Sequence, residues 1–228
     1  MKKRVLLKEP LNYNDETKYE DYEQYEVEKA IRISTHQLEK AKLFSSRYDY
    51  AQTLNKNISY LEVGVAWGHS AQMFIDITDA KSADLVDFYN GATGIFQSNN
   101  YNPKNNLETH EEYIKKKFNY RNNINILKGD ARDVLPTLDK KYDFIFLDME
   151  GERFLIRKFL LNCSKMINDN GIIGITSYTN HTFLYEEKIG VYQSVNEFLH
   201  LNQDWYVDAI VLDPIAFHDI YIKKSTKN

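Results

Sequence analysis

Apolar and polar positions follow two different rhythms in this chain, and the change falls near residue 57. From there, short apolar runs alternate with amphipathic stretches. Ile58–Val63, Ala83–Phe88, Ile124–Leu127, Tyr142–Leu147, Ile172–Thr176, Tyr206–Leu212 and Ile220–Ile222 read as strands. Tyr142–Leu147 is unbroken apolar sequence apart from Asp143, the pattern of a strand buried on both faces. Helices are expected over Trp67–Thr78, with Ala71, Phe74 and Ile75 on one face, over Leu107–Phe118 and over Val191–Leu201. A further helix is expected over Phe154–Ile167, where Leu155, Phe159, Cys163 and Met166 recur every three to four residues and Asn170-Gly171 follows as a stop. Strands joined by helices indicate an α/β, doubly wound, mostly parallel sheet, here of seven strands. The last two strands have no helix between them, so they must pair as an antiparallel C-terminal hairpin.

Residues 1–56 differ: they are polar, rich in tyrosine and free of glycine. Ala30, Ile31, Ile33, Leu38 and Ala41 recur at roughly helical spacing within Glu26–Lys42, so this segment is expected to be a helical cap or arm. It is too short to bury a core of its own, which leaves 57–228 as the main domain. Its tyrosines (Tyr13, Tyr19, Tyr22, Tyr25, Tyr48, Tyr50) could form a substrate lid or a homo-oligomer contact. Asn90–Asn106 has no period and carries Gly91, Gly94 and Pro103 around an apolar Ile95, Phe96 and Tyr101. A loop this long in a compact domain is expected to be functional, here a substrate-side lid.

Composition narrows the classes. The 228 residues have a mean hydropathy of -0.57 and no apolar run near the ~18 residues of a spanning helix, which excludes a helical membrane protein. Met1-Lys2-Lys3-Arg4 is followed by too few apolar residues for a signal peptide, and the single Cys163 fits a reducing compartment, so a cytoplasmic location is expected. Net charge is -4, from 29 basic and 33 acidic residues, with Lys115-Lys116-Lys117 as an internal basic triplet, which speaks against nucleic acid as a partner. The nine glycines are about 4% of the chain, below the ~7% average, and none precedes residue 64. Each is therefore expected to have a backbone reason.

Ligands of doubly wound sheets bind outside the carboxyl ends of the strands, and those ends carry the candidate chemistry. The first reads Glu62-Val63-Gly64-Val65-Ala66-Trp67-Gly68-His69-Ser70. Gly64 allows a sharp turn close to a ligand, Gly68 opens a helix whose N-terminal amides favour a polar or anionic group, and Glu62 can accept from an ammonium. The spacing G-x-x-x-G is neither a dinucleotide fingerprint nor a P-loop. Asp87 ends the second strand 25 positions past Glu62, a distance suited to a carboxylate accepting both ribose hydroxyls. Gly129-Asp130-Ala131 at the third offers an acid beside a free amide, suited to an adenine edge. Asp148-Met149-Glu150-Gly151 puts an acidic pair at the end of the most buried strand, where acids seldom serve packing alone.

Four such strand ends in this order resemble the class I S-adenosylmethionine-dependent methyltransferases, over residues 57 to about 224 and including the closing hairpin. The resemblance implies a Rossmann-like methyltransferase fold. It also implies S-adenosyl-L-methionine as cofactor, bound by Glu62, Gly64, Gly68, His69, Ser70, Asp87, Asp130, Ala131 and Asp148. Tyr142–Asp148 is similar to the small-molecule O-methyltransferases, including those acting on sugar hydroxyls. The implied activity is methyl transfer to a hydroxyl of a small molecule, with protein or RNA N-methyl transfer, or nucleoside binding without catalysis, as the alternatives. Two departures bear on metal use. Many relatives read Asp-Gly-Asp-His where this chain has Asp148-Met149-Glu150-Gly151, and the metal-dependent ones place a further acid after the fifth strand, where Ser177-Tyr178-Thr179-Asn180-His181 stands. Asp148 and Glu150 could hold one hard cation, but the third ligand is missing, so a divalent metal is not favoured. Asp148 is the first candidate for acceptor orientation or proton removal and His181 the second. His69 is expected at the cofactor and His218, just before the last strand, far from the site.

Overall fold

The computed structural model describes residues 32–90, 109–149, 153–178, 190–212 and 218–225. Eight strands form one sheet in the order β1-β7-β8-β6-β5-β2-β3-β4. The seven expected are β2 (Ser59–Val63), β3 (Ser82–Asp87), β4 (Ile124–Lys128), β5 (Tyr142–Leu147), β6 (Ile167–Ile175), β7 (Trp205–Leu212) and β8 (His218–Lys224). The eighth is β1 (Lys42–Phe44), from the segment expected to be helical; it pairs parallel to the edge of β7, Lys42 opposite Ala209. The helix expected over Glu26–Lys42 lies outside the described residues up to residue 31 and beyond that is a single turn, α1 (Thr35–Leu38). β8 is antiparallel to both β6 and β7, and every other pair is parallel.

Alternation along the strands divides the core between two faces. Leu61, Val63, Ile145 and Leu147 pack on one side with helices α6 (Arg153–Met166) and α7 (Val191–Leu201). Tyr60, Phe144 and Phe146 pack on the other with α2 (Arg47–Ala51), α3 (His69–Thr78) and α4 (His110–Lys117). Phe74 is the knob of α3, wholly buried against the rings of Phe144 and Phe146 at 4.8 and 5.1 Å. Burial of a side chain of this kind stabilises the fold by about 1.5–3 kcal/mol. A capping box at Thr109 and Glu112 starts α4. The one-turn helix α5 (Ala131–Val134) is capped by Asp130.

Asn170-Gly171 does not end a helix. The helix stops at Met166 and the chain enters β6 directly, with Asn170 at φ +62 inside the strand and the β5–β6 register shifting between Tyr142 and Phe144. Asparagine tolerates the left-handed conformation that such an irregularity needs. The order of the sheet reverses beside β2: the chain runs outward through β3 and β4 and returns on the other side as β5. The crevice for a ligand therefore opens over the carboxyl ends of β2 and β5.

Candidate active site

The loop after β2 passes very close to the end of β5. The Gly64 amide donates to the Val86 carbonyl at 2.9 Å and the Asp148 amide to the Val63 carbonyl at 2.9 Å. Gly64 has φ +87, and a Cβ there would lie 2.1 Å from the Asp148 carbonyl oxygen, so a side chain at this position forces the backbone to move. The amides of Val65 and Ala66 donate to Asp87 Oδ2 at 2.8 and 2.9 Å, and the Tyr89 amide donates to Oδ1 at 3.0 Å. The Asp87 carboxylate thus ties the glycine loop to the end of β3. From outside, α4 clamps the same loop. His110 Nε2 lies 2.7 Å from the Ala66 carbonyl, Lys117 Nζ donates to the Trp67 carbonyl at 2.9 Å, and Trp67 packs edge-on against Tyr113. Gly68, at φ +67, is the N-cap of α3. His69 follows it, with Nδ1 3.5 Å from Lys117 Nζ; partial burial and that ammonium hold its pKa below the ordinary value. Next along the edge, Gly129 N–H donates to the Asp87 carbonyl at 3.0 Å, which places Asp130 and Ala131 beside the end of β3. Asp130 accepts from the Arg132 amide at 2.8 Å and pairs with its guanidinium, which holds the carboxyl below its usual range.

The other end of the crevice is a charged cluster. Glu62, one residue before the end of β2, is fully buried; Tyr60 donates its hydroxyl to Oε2, and Oε1 has no hydrogen-bond partner among the described residues. Burial first, and then the Asp148 carboxylate, push its carboxyl well above the usual range. Asp148, partly exposed, accepts from the Ser70 hydroxyl at 3.3 Å. Ser70 also accepts from Arg47 Nη1 at 3.0 Å. Arg47 donates through Nε and Nη2 to Asp219 at 2.5 and 2.9 Å and through Nη2 to the Thr176 hydroxyl at 2.6 Å. Its Nη1 lies 3.5 Å from Asp148 Oδ2. Burial works hardest against this charge, yet Asp219 and then Asp148 outweigh it, so the Arg47 pKa lies above the ordinary value and the group stays cationic.

Local sequence explains how Arg47 arrives there. Ser46 caps α2 by accepting from the Asp49 amide at 3.1 Å, which fixes the first turn and the direction of Arg47. One turn on, Tyr50 is buried with its ring 3.8 Å from that of Tyr221, so α2 is seated on β8.

Glu62, Gly64, Gly68, His69, Ser70, Asp87, Asp130, Ala131 and Asp148 all lie along the carboxyl ends of β2 to β5 or at the start of α3 and α5. His181, Glu150 and the 91–106 part of the expected lid lie outside the described residues. His218 is not far from this edge. Because β8 runs antiparallel, its first residues stand beside the carboxyl end of β6, and the His218 carbonyl accepts from the Tyr178 amide at 2.8 Å. The same reversal delivers Asp219. Arg47, Thr176 and Asp219 are cluster members that sequence reasoning missed. The available signal was Asp219, an acid directly before the apolar Ile220–Ile222 run; nothing in the sequence around Arg47 marks it. Among the described residues no group of three or more His, Cys, Asp or Glu is placed to hold a metal ion.

A doubly wound sheet with a glycine loop tied to an acid on the next strand, and a further acid at its reversal point, defines a nucleotide-type α/β enzyme fold. The family of methyltransferase domains matches the chain over residues 61–178, and the chain belongs to it. Among solved structures, the O-methyltransferase TomG from Streptomyces achromogenes, in complex with SAM, superposes with a TM-score of 0.55 at 12% identity, covering 78% of each chain. The O-methyltransferase from Bacillus cereus, in complex with SAH, gives 0.57 at 13% identity, covering 86% of this chain and 84% of that one. A methyltransferase from Pyrococcus furiosus gives 0.54 at 14% identity over 79% and 82%. At these identities the likeness is one of fold. No curated protein matches the sequence.

Proposed function

We propose that the chain is an S-adenosylmethionine-dependent methyltransferase that moves a methyl group to a hydroxyl of a small molecule, with sugar hydroxyls as the first acceptors to test. One observation carries this reading. The glycine loop pinned by Asp87 and the acid Asp148 both stand at the carboxyl ends of β2 to β5, and Glu62 Oε1, one residue before the end of β2, is buried without a hydrogen-bond partner among the described residues. An unpartnered carboxyl oxygen there suits an ammonium such as that of the cofactor's methionine part, whose charge would favour the ionised form that burial disfavours, and two of the solved neighbours carry SAM or SAH.

When bound, the cofactor supplies a methyl carbon made electrophilic by its sulfonium. The protein's contribution is then alignment and proton management. Asp87 gives the ribose its acceptors and keeps the loop amides in place. The Ala131 amide lies at the adenine side. Asp148, partly exposed at the open end, orients the acceptor hydroxyl and takes its proton, with His181 as the second candidate for that role.

Thermal unfolding with S-adenosylhomocysteine tests the cofactor assignment: ligand at about 100 times its Kd should stabilise the fold by about 2.7 kcal/mol. Stabilisation by NADH and not by S-adenosylhomocysteine would overturn it. Release of S-adenosylhomocysteine across a panel of sugar and phenol acceptors then separates an O-methyltransferase from a nucleoside-binding protein without turnover.

A further inference from the structure

We propose that the Arg47 guanidinium is the resident cation of the transfer site, standing where the oxygens of Asp148, Asp219, Thr176 and Ser70 would otherwise coordinate a divalent metal. Its role in positioning Asp148 for methyl transfer rests on the function proposed above; its place between the carboxylates does not.

The acceptors around Arg47 are all hard oxygens: two carboxylates and two hydroxyls from four separate parts of the chain, ranged around one guanidinium. Such a set suits Mg²⁺ or Mn²⁺, with metal–oxygen distances of about 2.0–2.6 Å. That space is filled. The guanidinium has five N–H donors in a planar fork, and they meet five oxygen contacts: two to Asp219, one each to Thr176 and Ser70, and the longer one to Asp148. Beneath the fork, the Phe146 ring lies 5.1 Å from the guanidinium carbon. An aromatic floor favours a weakly hydrated planar cation over a strongly hydrated metal ion. Asp219 is wholly buried and needs a counter-charge in any folded state, which Arg47 supplies permanently.

Arg47 is therefore a positioning residue. It cannot give up its proton, but through Nη1, both directly and by way of Ser70, it sets where the Asp148 carboxylate stands. It also places a fixed positive charge beside the acceptor oxygen as that oxygen loses its proton.

Mn²⁺ is the probe, its free concentration read by electron paramagnetic resonance, with Arg47→Ala, Asp148→Asn and the combined variant compared with wild type. Wild type should leave the free Mn²⁺ signal unchanged into the millimolar range. Arg47→Ala should bind Mn²⁺ at least tenfold more tightly, the gain should vanish when Asp148→Asn is added, and millimolar methylguanidinium should displace the metal. Mn²⁺ bound by wild type and lost in Asp148→Asn would overturn the assignment. So would a folded Arg47→Ala protein that binds no more Mn²⁺ than wild type. If Arg47→Ala does not fold, the comparison moves to Arg47→Gln, which removes the cation, keeps an N–H donor for Asp219 and leaves both carboxylates in place, and is judged by the same two outcomes. S-adenosylhomocysteine shifts recorded in parallel separate the proposals: no shift for wild type, with the Mn²⁺ results as expected, would refute the methyltransferase reading and leave the cation assignment standing.

Discussion

At the β3–β4 end of the crevice the glycine loop is held by many small ties, whereas at the β5–β8 end five residues from five separate places in the chain meet on one charge. Asp87 accepts from three backbone amides, His110 and Lys117 each reach a loop carbonyl, and Gly129 bonds the Asp87 carbonyl. Ser70, Asp148, Thr176 and Asp219 instead all meet the Arg47 guanidinium, with the Ser70–Asp148 and Tyr221–Asp219 hydrogen bonds as lesser ties. The first arrangement should fail gradually, one hydrogen bond at a time. The second should fail as a unit, because removing either partner of its central pair leaves a buried charge without compensation.

The largest effect is expected where the two ends touch. Gly64→Ala puts a methyl group 2.1 Å from the Asp148 carbonyl oxygen at a φ of +87, so backbone must move at both ends together. Overpacking and the left-handed conformation should together cost about 3–5 kcal/mol in urea unfolding. A loss under about 1 kcal/mol would show that the two ends are not in rigid contact. Next is Asp219→Ala. It should destabilise by about 3 kcal/mol, as expected for breaking a buried ion pair, while Asp219→Asn should lose clearly less. Equal losses for both would mean that volume, and not charge, holds this end.

Asp87→Ala probes the other end and should be milder for the fold. Hydrogen bonds to a charged group contribute about 1.5–3 kcal/mol each, so S-adenosylhomocysteine affinity should fall at least about tenfold. The Val65 and Ala66 amides should exchange hydrogen faster while those of β5 stay protected. Uniformly faster exchange would contradict the division into two ends.

The smallest change is a matter of pH. The folded Glu62 carboxyl has a pKa raised above its ordinary 4.5, by burial first and by Asp148 second. The folded state therefore favours the protonated form. The contribution of Glu62 to stability is fully present below about pH 4.5 and is lost as pH rises through the raised value. Glu62→Gln keeps an acceptor for Tyr60 and carries no charge, so it should be more stable than wild type at pH 8, with the difference closing near pH 4. A pH-independent difference between the two proteins would show that Glu62 is ionised throughout.

The loop end was legible in the sequence because its parts are neighbours in the chain or sit at strand ends that announce themselves. Gly64 and Gly68 mark turns, and Asp87 and Asp130 close apolar runs. Boundaries moved by a few residues without moving the chemistry, as at β3, which begins at Ser82 and ends at Asp87. Asn170 misled for a physical reason: the same left-handed preference that ends helices also serves an irregular strand, and only pairing with β5 decides between them.

By itself, then, the sequence determined the alternating elements, the doubly wound parallel sheet, its closing hairpin and the row of acids at the strand ends. Those depend on periodicity and on turn residues, which are local properties of a chain. Tertiary structure alone decided that β1 joins β7, that the antiparallel β8 returns Asp219 to the ligand edge, and that α2, seated by Tyr50 on Tyr221, points Arg47 between Asp219 and Asp148. A charge has no period. Where it finds its partner is settled only when packing has fixed which distant elements share an edge and how much water remains between them.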